Sequence, residues 1–83
     1  MIDSKRFLPS TRQLLAFESV ARHQSVTAAA QELSLTQSAV SRQLQKLEAQ
    51  IDIALFDRKR KRVKLTAAGE IYLEEIQAAL KKI

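Results

Sequence analysis

One proline and one glycine, Pro9 and Gly69, are the only such breaks in 83 residues. Turns between them must therefore be made by side-chain caps at the ends of helices. With no repeat, low-complexity tract or linker, the chain reads as one continuous and mainly α-helical domain. Cysteine is absent, which removes disulfides and thiolate metal sites and leaves helix packing and capping as the sources of stability. A chain this short buries only about 60% of the surface its unfolded form exposes, enough for one small core. No apolar run approaches the roughly 20 residues that span a bilayer, so no membrane partner is expected. Met1 to Leu8 carries Lys5 and Arg6 without the apolar centre of a signal peptide, and the expected location is cytoplasmic.

Ser10-Thr11-Arg12-Gln13 has the S-x-x-Q form of a capping box and predicts the start of a first helix. Leu14, Phe17 and Ala21, with Leu15 and Val20 beside them, form its apolar stripe, and Arg12, Glu18 and Arg22 take the other face. A second, short helix is predicted from Thr27 as cap, with Ala29, Ala30 and Leu33 inward, as far as Ser34. Its alanines fit a close helix crossing or simple helix propensity equally well. Leu35 is expected to plug the following turn. Thr36 is the next cap, and Val40, Leu44, Leu47 and Ile51 recur at four, three and four residues in a third helix that ends near Asp52.

Leu55 and Phe56, followed by the alternation of Val63 and Leu65 with Lys64 and Thr66, predict a β-hairpin with a basic tip. A last helix opens at Thr66 with Gly69 and Glu70 in its first turn. Tyr72, Ile76, Ala79 and Ile83 are spaced four, three and four, with Leu73 and Leu80 on their flank. That stripe suits a coiled-coil-like pairing of two subunits, and it suits equally well packing on the first helix.

Arg58, Lys59, Arg60, Lys61, Arg62 and Lys64 supply six of the 14 basic residues, and the other eight are outnumbered by nine acidic ones. The positive excess thus sits in one short stretch, as expected of a phosphate-binding element, although a solvated charge run has the same composition. With Val40, Leu44 and Leu47 turned inward, the third helix exposes Gln37, Ser38, Ser41 and Arg42 near its start, then Gln45 and Lys46. An α-helix fits the major groove, where arginine can bond guanine and glutamine adenine through paired hydrogen bonds, and serine can donate to or accept from several bases. Thr27, Thr36 and Gln43, with the free amides at helix starts, are placed to hold phosphates. A polar outer face by itself describes most surface helices. Two short capped helices, a polar uncharged start to the second of them and a basic hairpin, in that order, point instead to double-stranded DNA binding.

An enzyme is not expected: His23 is the only histidine, and no glycine-rich phosphate loop, metal-ligand spacing or cofactor motif occurs. His23, at the end of the first helix, reads as a half-exposed side chain satisfying a carbonyl. Phe7, Phe17, Phe56 and Tyr72 offer no stacking platform for RNA. The alternative class is a winged-helix protein–protein interaction module.

Ser25-Val26-Thr27, Ala29-Ala30, Leu33, Thr36-Gln37, Ala39-Val40-Ser41-Arg42-Gln43, Leu47-Glu48, Leu55-Phe56, Arg58 and Leu65-Thr66-Ala67-Ala68-Gly69 form an ordered series that resembles the LysR-type transcriptional regulators. The resemblance covers about residues 10 to 83. It implies a winged helix-turn-helix over 1–66, in which helix 37–51 reads the major groove and the wing 57–66 binds phosphate. It also implies a linker helix over 67–83 that pairs two subunits on a promoter inverted repeat in a bacterial regulator. Base contacts then fall on Gln37, Ser38, Ser41 and Arg42, and phosphate contacts on Thr27, Thr36, Gln43, Arg58, Arg62 and Lys64. Pairing falls on Tyr72, Leu73, Ile76, Ala79, Leu80 and Ile83. Family members carry a larger C-terminal domain that binds a small-molecule effector and supports higher homo-oligomers, so this chain reads as the DNA-binding piece of a longer protein. It departs from the family pattern in having Ser38 for a usual proline, Ala28 for a common basic residue, Asp52 for a common glycine, and no glycine at the wing tip.

Overall fold

Ser10 closes the start of the first helix in both directions. Its hydroxyl accepts from the Gln13 amide at 3.2 Å, and its own amide donates to the Gln13 side chain at 2.8 Å. The computed structural model describes residues 9–57 and 63–81. Helix α1 (Thr11–His23) is followed by α2 (Val26–Leu33) and α3 (Gln37–Ile51). Strands β1 (Phe56–Asp57) and β2 (Lys64–Leu65) then pair antiparallel, Phe56 with Leu65 and Asp57 with Lys64, before α4 (Ala67–Leu80). The arrangement is a helix-turn-helix with a hairpin wing and a trailing helix. The wing tip, with Arg58 and Arg62, lies outside the described residues, as does Ile83.

The cap of α2 is Ser25, not Thr27: Ser25 is extended and its hydroxyl accepts from the Ala28 amide at 3.0 Å. Gln24 ends α1 in the left-handed region, at φ 54°, and this brings the chain round one residue before Ser25. Helices α2 and α3 close alike. Ser34 (φ 57°) and Asp52 (φ 56°) are left-handed, and the next residue's amide reaches back five positions, Leu35 to the Ala30 carbonyl at 2.9 Å and Ile53 to that of Glu48 at 3.2 Å. This is the Schellman closure usually made by glycine, here made by serine and aspartate. Asp52 therefore ends α3 in the conformation a glycine would adopt.

The core gathers Ala16, Phe17 and Val20 of α1, Ala29 and Ala30 of α2, Val40, Leu44 and Leu47 of α3, Leu55 and Phe56 at the wing, and Ile76 of α4. Phe17 is fully buried, with the Phe56 ring centroid at 5.5 Å and that of Tyr72 at 5.4 Å, so one aromatic ring joins α1 to the wing and to α4. Edge-to-face and tilted pairs of this kind add about 0.5–1.5 kcal/mol beyond area burial. Leu15 (40% exposed) lies outside the core stripe, and Leu35 (46% exposed) does not plug the turn. The turn is closed by backbone hydrogen bonds instead.

The stripe on α4 packs inward. Ile76 is 7% exposed, Tyr72 lies on Phe17, and Leu73 and Leu80 pack against the same core. Of the described residues expected at a subunit seam, only Ala79 is exposed. The stripe packs on its own chain because α1 offers an apolar face within reach, and Ile76 lies in the core.

Candidate nucleic-acid interface

Thr36 sets the position of the interface. It is extended, its hydroxyl accepts from the Ala39 amide at 3.0 Å, and its carbonyl accepts from Val40 at 3.1 Å. The first turn of α3 therefore starts at Gln37, and the 100° step per residue distributes its faces. Val40, Leu44 and Leu47 are buried. Gln37, Ser38, Ser41, Arg42 and Gln45 fall within an arc of roughly 140° on the other side. Within that arc Gln37, Ser38, Arg42 and Gln45 are exposed and Ser41 is half-buried. The four expected base-contacting residues are thus brought onto one face.

That face is electrostatically open. The only carboxylate on α3 is Glu48, which is directed at the amides of Leu55 (2.7 Å) and Phe56 (3.3 Å) beneath the wing. Arg42 is exposed and has no carboxylate partner among the described residues. Arg22 shows the contrast: its guanidinium is held by Glu18 and Glu32, which raise its pKa, and it is committed to joining α1 to α2. A guanidinium without a partner keeps both edges of its planar fork for an incoming acceptor.

Ser38 occupies the second position of α3, where the helix itself gives the amide no acceptor. It therefore presents an N–H and a hydroxyl together at the positive end of the helix dipole. Thr27 stands exposed in the first turn of α2, and Lys64 is exposed on β2. Gln43 is half-buried on the flank of α3, in a shallow cleft with Arg12, Leu15, Leu33, Leu35 and Ala39, rather than on the reading face. Arg58 and Arg62 lie outside the described residues.

Two residues escape sequence reading. Glu48 looks like an ordinary surface carboxylate, because its partners are backbone amides seven and eight residues away. Ile71 is 63% exposed on the outside of α4, one turn from exposed Ala67 and Ala68. The spacing of Ala67, Ile71, Glu74 and Ala78 puts them on one face, where the Glu74 carboxylate interrupts the apolar residues and the stronger Tyr72–Ile76 stripe overshadows them. His23 differs from expectation too: its Nε2 lies 3.5 Å from a Glu32 carboxylate oxygen instead of on a carbonyl.

Comparison with known proteins places this geometry. The family model described as "Bacterial regulatory helix-turn-helix protein, lysR family" matches residues 11–70. The RuBisCO operon transcriptional regulator of Allochromatium vinosum is 57% identical over 60 residues, which are 72% of this chain and 20% of that protein. The BenM DNA-binding domain in complex with catB site 1 DNA superposes with a TM-score of 0.85 at 34% identity, over 88% of this chain and 82% of that one. The CbnR DNA-binding domain in its DNA complex gives 0.81 at 38% identity, over 87% and 83%. The chain spans a fifth to a quarter of the length of curated relatives such as these regulators.

Proposed function

From the premise that this chain belongs to the lysR family of bacterial regulatory helix-turn-helix proteins, we propose that it reads promoter DNA through Gln37, Ser38, Ser41 and Arg42 and anchors on phosphate through Thr27, Thr36, Gln43, Arg58, Arg62 and Lys64. The observation that carries this reading is the start of α3: a polar face free of carboxylates, with an Arg42 that has no carboxylate partner among the described residues, mounted on the buried ridge of Val40, Leu44 and Leu47. Arg42 offers paired donors to guanine and Gln37 a donor with an acceptor to adenine, which discriminates bases, while the serines bring the helix close and discriminate less.

The division 1–66 for DNA binding and 67–83 for linking follows from the same reading. Two copies pair through the last helix on an inverted repeat, and the outer stripe around Ile71 supplies the apolar contact that the inward stripe cannot. Small-molecule control and higher oligomers belong to the additional length of the relatives. The role is binding rather than catalysis, exercised in the bacterial cytoplasm. Among the described residues no helix is long and apolar enough to cross a membrane.

Selection from a random duplex pool at stated salt tests this directly. The pool is expected to converge on two related half-sites about 34 Å apart. A bound pool that stays random would reduce the chain to a nonspecific phosphate binder.

A further inference from the structure

The wing is fastened at its base from two sides. On one side the Oε2 atom of Glu48, on the fourth turn of α3, accepts from the amides of both Leu55 and Phe56, at 2.7 and 3.3 Å. On the other, the Thr66 amide donates to the Leu55 carbonyl at 3.0 Å and the Thr66 hydroxyl donates to the Ala54 carbonyl at 2.7 Å. Leu55 and Phe56 are 1% and 5% exposed, so water cannot replace a lost acceptor there without opening the core. Thr66 ties the two strands of the hairpin to each other. Glu48 ties the hairpin to the helix that carries the reading face.

We infer that Glu48 is a positioning residue for DNA binding, setting the wing's angle to α3 so that Lys64 meets phosphate while Gln37 to Arg42 meet bases. This rests on the DNA-binding reading above. Both bonds fall on a single oxygen, so the carbonyl of a glutamine can accept both amides, whereas alanine leaves two buried donors without this partner. Charge acts in the opposite sense: deleting a carboxylate near a polyanion by itself strengthens binding. Weaker binding on removal of Glu48 therefore reports geometry.

The test measures binding of the whole chain to its selected duplex and to a random duplex of equal length over a range of salt. Glu48→Ala is expected to lower the salt slope by about one to two phosphate contacts and to weaken both duplexes about tenfold. The preference for the selected duplex stays within about twofold, because phosphate contacts carry no sequence information. Lys64→Ala should cost about one contact in the wild type and clearly less in Glu48→Ala. Glu48→Gln, which keeps an acceptor for both amides, should lower the slope clearly less than Glu48→Ala. If Glu48→Ala is unfolded by circular dichroism, Glu48→Asp, which withdraws the acceptor by one methylene, is measured in its place. A wild-type slope in the folded variant, an undiminished Lys64→Ala effect, or a loss in Glu48→Gln as large as that in Glu48→Ala each overturns the assignment. A wild-type chain that binds neither duplex overturns the DNA-binding reading instead.

Discussion

The carbonyl oxygen of Leu55 occupies the space that a Cβ on Gly69 would need. The Leu65 side chain closes the same space at 2.9 Å. Alanine is favoured over glycine inside a helix by about 1 kcal/mol, yet here its methyl group would meet backbone that cannot rotate away. Gly69→Ala is expected to destabilise by about 1–3 kcal/mol, the range of overpacked cores. Urea unfolding measures it, and a gain in stability would mean that α4 and the wing base separate easily.

Acid should act on the joint between α1 and α2. Hydrogen bonds from Arg22 and then from Ser19, whose hydroxyl lies 2.6 Å away, lower the Glu32 carboxyl from 4.5 to about 2. The unfolded chain therefore takes up this proton first as pH falls. The contribution of Glu32 is complete above pH 4.5 and is lost progressively toward pH 2. Thermal melts of the wild type and Glu32→Gln should converge over that window. Melting curves that stay parallel place the acid sensitivity at other carboxylates.

Two isoleucines five residues apart on α4 should behave oppositely. Ile76→Ala removes a core side chain and is expected to cost about 2–5 kcal/mol. Ile71→Glu alters an exposed site and should leave stability within about 0.5 kcal/mol, while shifting sedimentation equilibrium toward monomer. A dimer that survives Ile71→Glu has its interface off this stripe.

Base reading and phosphate anchoring separate by substitution. Arg42→Ala is expected to cost about 1–3 kcal/mol on the selected site and much less on random duplex. Lys64→Ala should weaken all duplexes and reduce the salt slope by about one. Equal losses on both duplexes would make Arg42 a phosphate anchor.

These contrasts follow the limits of sequence reading. The caps Ser10, Thr36 and Thr66 and the Val40–Leu44–Leu47 ridge are local patterns, and the structure has them where the spacing puts them. Ser25 and Thr27 are chemically equal cap candidates, and the left-handed Gln24, which no side-chain pattern announces, decides between them. A stripe on α4 says that a partner exists without saying whether it is α1 or another subunit. Leu15 and Leu35 fit their apolar patterns but sit at the edges of a core too small to cover them. Base contacts remain a matter of face and chemistry, since DNA itself decides which exposed residues touch it.

Gln24, Ser34 and Asp52 end three helices in the left-handed conformation without glycine. For an L-residue that conformation costs roughly 1–2 kcal/mol, less for aspartate, against the smaller entropy that glycine adds to the unfolded chain. The domain thus keeps thermal headroom in its connections. A lineage moving to a hotter habitat could gain several degrees of melting temperature, at about 4–8 °C per kcal/mol for a domain of this size. It would do so through glycine at these joints, leaving the exposed face of α3 as it is.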